Sequence, residues 1–255
     1  MKTVLLAGGL GTRLREETEF RPKPMVEVGS KPMLWHIMKT YESAGFKDFV
    51  ICAGYKSDII KQYFSSLINM SGDFRIKYNS NVSVEFMDGD TPDWSVIVSD
   101  TGFETMTGGR IKRIEKYIEN ERFFCTYGDG LSNVSLNDLL DFHKSQNKIA
   151  TLTAVHPTSR FGQLSINTDG SVSDFSEKPM NDEWINGGFF VFEPEVFDYL
   201  SESCILEKDV LPVLAREGQL SAFKHDGFWQ PMDTYRESQL LNELWDAGNA
   251  PWKVW

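Results

Sequence analysis

Val4-Leu5-Leu6-Ala7-Gly8-Gly9-Leu10-Gly11-Thr12-Arg13-Leu14 stands near the start of the chain. Four apolar residues run straight into a turn holding three glycines. So short a run, closed by glycine, predicts a buried parallel strand that ends in a tight turn. Glycines there let main-chain N–H groups come close to an anion. Thr12 adds a hydroxyl, and Arg13 a planar fork suited to phosphate oxygens. The spacing is neither G-x-x-x-x-G-K-[ST] nor G-x-G-x-x-G. The missing second fingerprint argues against an NAD-dependent dehydrogenase, which would also be α/β. Beyond Arg13 lies Arg21-Pro22-Lys23-Pro24-Met25. Its two prolines hold the segment extended and present Lys23 at little entropic cost.

Outward from this loop the pattern alternates. Pro32 suits a first helical turn. Met33, Leu34, Ile37, Met38 and Tyr41 then share one helical face, and Gly45 stops the run. Phe49 to Ala53 predicts a second strand, and Ser57 a cap for a helix carrying Ile59, Ile60, Tyr63, Phe64 and Leu67. Phe123 to Thr126 predicts another strand, ending at Gly128-Asp129-Gly130. Ser135 opens a helix with Leu136, Leu139, Leu140 and Phe142, and Ile149 to Val155 returns as a strand. This order predicts a single α/β domain, Rossmann-like, with a mixed, mostly parallel sheet and helices on both faces. Residues 1–150 read as one half of this domain. Residues 151–255 read as a β-rich elaboration on the same sheet. It has strands at Val172 to Phe175 and Ile185 to Phe192, a turn at Asp169-Gly170, and helices at Pro194 to Leu200, Lys208 to Arg216 and Thr234 to Ala247. From Ser71 to Gly109 only short β-like runs stand out, Val82 to Phe86 and Ser95 to Val98.

Composition narrows the function. With 255 residues and 41% hydrophobic content there is ample core for one large domain. A net charge of −11 argues against a nucleic-acid partner, which favours a basic surface. It does not exclude one bound nucleotide, because a few local cations suffice. Cys52, Cys125 and Cys204 form no C-x-x-C pair and read as reduced thiols. Four scattered histidines lack zinc spacing. The run Thr3 to Ala7 is too short for a signal peptide, and no stretch reaches the roughly 18 apolar residues of a membrane span. A cytoplasmic protein without membrane partners is expected.

Asp129 follows an apolar strand directly, so its carboxylate emerges at the carboxyl edge of the sheet, where open α/β sheets bind ligands. Asp233 lies in the proline-bounded aromatic turn Gly227-Phe228-Trp229-Gln230-Pro231-Met232-Asp233-Thr234. Magnesium favours one or two carboxylates completed by substrate phosphate oxygens and water. Asn186-Gly187-Gly188 reads either as a strand bulge or as close approach to a sugar. Gly162, in Arg160-Phe161-Gly162, is a weaker candidate of the same kind. Arg110 follows the glycine turn Gly108-Gly109 and can donate to O2 or N3 of a pyrimidine.

Gly-Gly-x-Gly-Thr-Arg followed by Pro-Lys-Pro resembles the sugar-1-phosphate nucleotidyltransferases. Thr107-Gly108-Gly109-Arg110, Tyr127-Gly128-Asp129-Gly130, Glu177-Lys178-Pro179, Ile185-Asn186-Gly187-Gly188-Phe189-Phe190, the Asp233 turn and Ala250-Pro251-Trp252-Lys253 extend the likeness over nearly the whole chain. Together they resemble the glucose-1-phosphate cytidylyltransferases within that group, which make CDP-glucose for dideoxysugars of bacterial surface polysaccharides. The resemblance implies a nucleotide-diphospho-sugar transferase-like fold, CTP and glucose 1-phosphate as substrates, and Mg²⁺ on Asp129 and Asp233. It implies that Leu6, Ala7, Gly8, Gly9, Gly11, Thr12, Arg13, Lys23, Thr107, Gly108, Gly109, Arg110 and Asp129 bind the nucleotide, with Arg13 and Lys23 catalytic. It implies that Gly162, Glu177, Lys178, Asn186 and Gly187 hold the sugar phosphate, and a homo-oligomer is expected with it. A thymidylyl- or uridylyltransferase and a noncatalytic regulatory subunit of the same fold are the alternatives.

Overall fold

The computed structural model describes residues 1–67, 73–78, 83–86, 92–157, 161–177 and 183–255. Among these, eight strands form one sheet: β1 (Thr3–Ala7), β2 (Asp48–Ala53), β3 (Ser95–Asp100), β4 (Phe123–Tyr127), β5 (Ala150–Val155), β6 (Ile185–Asn186), β7 (Phe190–Phe192) and β8 (Leu220–His225). β1 lies between β2 and β4, parallel to both, with Leu6 opposite Cys52 and Tyr127. β3 extends the parallel set beyond β2. β7 runs antiparallel to both β4 and β5, and β8 lies parallel to β5. Strands from both halves of the chain therefore share one sheet, mixed and mostly parallel.

The central parallel strands β1, β2 and β4 are buried on both faces, which is why they read as nearly unbroken apolar runs. Successive side chains point to opposite sides. Leu5, Ile51 and Phe124 join one core with helices α1 (Met33–Ser43), α2 (Ser57–Ser66), α4 (Leu136–Gln146) and α6 (Tyr235–Asp246). Val4, Val50 and Cys125 join a second core with α3 (Thr107–Arg113) and α5 (Leu211–Arg216). Cys52, Cys125 and Cys204 are free and buried. Among the described residues no helix is long and apolar enough to cross a membrane.

Several local expectations need correction. Ser57 does not cap α2: Lys56, at φ 49°, takes that position, and the Ser57 hydroxyl donates to Asp100 instead (3.0 Å). Ser135 and Thr234 do cap their helices, Thr234 within a reciprocal capping box with Glu237. The strand expected from Ile185 to Phe192 is broken in two, because Gly188 (φ 75°) and Phe189 (φ 48°) turn the backbone out of extended geometry. Gly108 and Gly109 lie in the first turn of α3, not in a turn of their own. Of the run Val82 to Phe86, Val82 lies outside the described residues; Ser83–Phe86 pairs with Phe74–Lys77.

The C-terminal tryptophans close the first core. Trp252 is fully buried, stacks on Phe228 at 5.6 Å and donates its indole N–H to His36 Nδ1 at 3.4 Å. His36 Nε2 lies 2.8 Å from the Val28 carbonyl and donates to it. Both ring nitrogens are thus used by a neutral imidazole. Burial holds the His36 pKa down to about 4, against an ordinary 6.5. Between those values the unfolded chain takes a proton that the folded chain refuses, so this site loses stability as pH falls from 6.5 towards 4. Urea unfolding at pH 7.5, 5.5 and 4.5 should show stability falling with pH. His36→Gln, which has no such titration, should show a smaller fall over the same interval.

Candidate active site

β1 and β4 are parallel neighbours, so the glycine loop and the Gly128-Asp129-Gly130 turn leave the sheet side by side, tied by the Gly128 N–H to the Leu6 carbonyl (3.0 Å). Gly11, in the left-handed region at φ 62°, starts the single 3-10 turn Thr12–Leu14. Thr18 fastens that turn by donating to the carbonyl of Leu14 (2.9 Å) or of Gly11 (3.1 Å). A Cβ on Gly9 would meet nothing within 4 Å, so the loop is open there.

The charged groups converge at the mouth of this loop. Lys23, carried on a 3-10 turn, is 8% exposed. Its ammonium donates to Asp129 Oδ2 (2.6 Å) and to Asp233 Oδ1 (2.5 Å). Arg13 Nη1 lies 2.8 Å from the other oxygen of Asp233, with its side chain largely in solvent. Burial pulls the Lys23 pKa down, but the charge of Asp129 and the hydrogen bonds to both carboxylates outweigh it and leave it raised. The stabilisation this provides is complete below pH 10.5 and is lost only above it, as pH passes the raised folded value.

The segment from Leu6 to Arg13, Leu10 apart, lines one cleft of about 330 Å³ with Lys23, Thr107, Arg110, Asp129 and Asp233. A wider hollow of about 930 Å³ lies by Trp35, Lys31 and Lys39, and contains none of the candidate residues. The smaller cleft is where strand ends, glycines and paired charges coincide, and we place the site there.

Arg110 lines the cleft, yet its guanidinium is spent within the protein. Nη1 is within reach of the Ala53 and Gly102 carbonyls and the Thr101 hydroxyl (3.3, 2.8 and 2.7 Å). Nη2 donates to the carbonyls of Gly8 (2.9 Å) and Phe103 (3.3 Å). In this arrangement the amino groups expected to donate to a pyrimidine instead brace the back of the loop. Gly8 is glycine for this reason: a Cβ there would stand 2.1 Å from Arg110 Nη1. Gly108 and Gly109 do not line the cleft. Their missing side chains admit the 202–206 segment, with Cys204 Sγ 2.4 Å and the Glu202 carbonyl 2.3 Å from the added Cβ positions.

The sugar-side candidates lie beyond the cleft's lining. Asn186 Nδ2 donates to the hydroxyl of Tyr127, which does line it (3.1 Å), and Asn186 Oδ1 accepts from the Gly188 N–H (3.0 Å). Gly187 packs on Val155, and its carbonyl accepts from the indole of Trp229 (2.8 Å). Gly162 faces the Phe175 ring and a Glu177 carboxylate oxygen, 2.7 and 3.0 Å from an added Cβ. Lys178 lies outside the described residues. Thr101 and Tyr127 were missed. Tyr127 stands in a motif already quoted, but its neighbour Asp129 carries the recognisable chemistry; Thr101 has no signal in the sequence.

Asp129 and Asp233 pass a simple test as a hard-cation pair: one oxygen of each already converges on a single cation, the Lys23 ammonium. Two carboxylates do not fill a magnesium shell, so substrate oxygens and water would have to complete it. Among the described residues no larger group of His, Cys, Asp and Glu gathers.

Comparison with known proteins places the whole chain among described relatives. The chain is 49% identical over 258 residues to the glucose-1-phosphate cytidylyltransferase of Salmonella typhimurium, covering all of both chains. It is 41% identical over 262 residues to a probable glucose-1-phosphate cytidylyltransferase of Bacillus subtilis, again over the full length of both. The crystal structure of HddC from Yersinia pseudotuberculosis superposes with a TM-score of 0.71 at 26% identity, covering 96% of this chain and 99% of that one. The Nucleotidyl transferase family pattern matches residues 2–241. By that match, and by its full-length identity to these relatives, the chain belongs to the nucleotidyl transferase family.

Proposed function

We propose that this chain transfers the cytidylyl group of CTP to glucose 1-phosphate, forming CDP-glucose and pyrophosphate with Mg²⁺. The observation that carries the reading is the convergence of Arg13, Lys23, Asp129 and Asp233 at the mouth of an open glycine loop. Full-length identity of 49% to the Salmonella enzyme supports the choice of substrates.

The attacking atom is a phosphate oxygen of glucose 1-phosphate. It forms a bond to the α-phosphorus as the bond to the bridging oxygen of pyrophosphate breaks. The nucleophile is already an anion, so no serine, cysteine or general base is required. The task is to bring anions together and hold the charge that collects on the leaving group, by position and electrostatics. We assign the nucleotide phosphates to the loop from Gly8 to Thr12, the departing pyrophosphate to Arg13, and the shared phosphate region to Lys23. Mg²⁺, held by Asp129 and Asp233, would supply charge neutralisation at the phosphates. Lys178, Glu177 and Asn186 are assigned to the sugar phosphate. With the amino groups of Arg110 committed, the base is assigned to main-chain groups from Leu6 to Gly9.

A panel of CTP, UTP, dTTP, ATP and GTP with glucose 1-phosphate and Mg²⁺, read by pyrophosphate release, tests the substrates. CTP should exceed UTP by at least about tenfold in kcat/KM, which corresponds to roughly 1.4 kcal/mol. A preference for dTTP or UTP would reassign the base. Absence of turnover with every nucleotide would favour a binding subunit.

Two variants test the roles. Arg13→Ala removes a largely exposed side chain, so the fold should hold while the rate falls about a hundredfold or more, roughly 3 kcal/mol of transition-state stabilisation. Near-normal turnover would take Arg13 out of the mechanism. Asp129→Asn keeps the shape but removes the charge that a hard cation needs. Activity should collapse, and the Mg²⁺ concentration for half-maximal residual rate should rise about tenfold or more. Because Asp129 also partners the buried ammonium of Lys23, its thermal midpoint should not rise.

A further inference from the structure

Thr107 at the start of α3 and Tyr127 at the end of β4 come from separate elements, yet their side chains meet at one carboxylate, and Asn186 in β6 joins them through Tyr127. Glu207 Oε1 accepts from the Tyr127 hydroxyl (2.5 Å), and Oε2 accepts from the Thr107 hydroxyl (2.7 Å). Thr107 in turn accepts from the Leu206 N–H (3.0 Å), and Tyr127 accepts from Asn186 Nδ2 (3.1 Å). Every direction in this chain is fixed. Each hydroxyl donates once to Glu207 and accepts once from elsewhere. Burial, and then the charge of Glu207, push the Tyr127 pKa far above its ordinary 10.0, so the phenol keeps the proton it donates.

We propose that Glu207 is a positioning residue that sets the spacing between the nucleotide side and the sugar side of the cleft. This rests on the reading of the cleft as a site for CTP and glucose 1-phosphate. Thr107 and Tyr127 line the cleft, and Asn186 reaches it only through Tyr127. A shift of Glu207 moves all three together.

The backbone around Glu207 is built to bring it there. Leu206–Val210 forms a π-helical turn, a rare conformation that often marks functional sites. Its approach to α3 depends on Gly108 and Gly109. A Cβ on Gly108 would lie 2.4 Å from Cys204 Sγ and 3.2 Å from Leu206 N, and one on Gly109 would lie 2.3 Å from the Glu202 carbonyl. The Gly109 N–H donates to the Cys204 carbonyl (3.1 Å), which locks the two segments. The glycine pair and the carboxylate thus belong to one device.

A carboxamide offers one acceptor oxygen where Glu207 offers two, so in Glu207→Gln one of the two hydroxyls loses its acceptor and that link is either lost or reversed, with the amide N–H donating. Tyr127→Phe removes one hydroxyl and with it two links, the one to Glu207 and the one to Asn186. The experiment is pyrophosphate release with CTP and glucose 1-phosphate for wild type, both single variants and the double variant. Calorimetry of CTP binding and thermal midpoints accompany it. Both single variants should lose about tenfold in kcat while CTP affinity stays within about threefold, because misplacement of reacting atoms acts on the rate. The double variant should lose no more than the worse single variant, since both cut the same chain. Wild-type kcat in either single variant, a loss confined to CTP affinity, or losses that multiply in the double variant would each overturn the proposal. Should Glu207→Gln fail to fold, Tyr127→Phe decides alone by the same kcat and affinity criteria. Wild type inactive with these two substrates would overturn the substrate reading itself, whereas an active wild type with indifferent variants overturns only the role of Glu207.

Discussion

One buried ammonium holds the site together. Lys23 donates to Asp129 and Asp233, carboxylates 106 and 210 residues away along the chain. Arg13 takes the remaining oxygen of Asp233. Two cations and two carboxylates thus arrive from four parts of the sequence and cancel. Ion pairs removed from water survive only when partners are complete, because a lone buried charge costs several kcal/mol. The same cluster suits an exchange of partners. In the proposed reaction the phosphates take over Lys23 and Arg13 while the carboxylates receive a metal. No charge need be left alone at any stage, so the cluster can open to substrate and close again.

Arg110 plays a different part, although it is also a buried cation at the same cleft. Its amino groups meet carbonyls and one hydroxyl, with no carboxylate among their hydrogen-bond partners. Dipoles satisfy its hydrogen bonds, so its charge sits behind the glycine loop without a direct ion pair. In the proposed binding mode a triphosphate on the front of that loop would feel this charge without touching it. The bonds to Gly8, Ala53, Gly102 and Phe103 also join the ends of three parallel strands, which fixes the loop that the anion must meet.

Much of this architecture was legible because the governing forces are local or periodic. Buried parallel strands show as continuous apolar runs, and helices α1, α2 and α4 show their packed faces and, for α4, its cap. The loop and both carboxylates were legible because phosphate chemistry restricts the residue types that can serve. The remainder failed for identifiable reasons. Ser57 has the right chemistry for a cap, but Asp100, 43 residues on, draws its hydroxyl away. The strand at Ile185 looked continuous because Phe189 is a good strand residue, and only the fold forces it to positive φ. Glu207 was invisible: Leu206-Glu207-Lys208-Asp209-Val210 reads as an ordinary helix start, and its partners lie 80 and 100 residues away.

Glycine pairs show most clearly what a sequence leaves open. Gly8-Gly9 and Gly108-Gly109 give the same signal, close approach of something to the backbone, and that something differs at each position. Above Gly9 the space is open; at Gly8 it is filled by the Arg110 guanidinium; at Gly108 and Gly109 it is filled by Glu202 and Cys204. Only the first leaves room for a ligand. That distinction limits where a base can be read. Gly108 and Gly109 are covered by protein, and the Arg110 amino groups are turned to carbonyls. What still faces the cleft near the loop is the main chain from Leu6 to Gly9 on one side and the stretch from Thr105 to Thr107 on the other. Main-chain N–H and C=O groups cannot rotate to suit a different base. A base edge whose donors and acceptors disagree with them leaves polar groups unpaired, a mismatch that can discriminate by orders of magnitude. If the base is read there, as proposed, its selectivity would follow from how firmly the loop is held, and Arg110 and Thr18 are two residues that hold it.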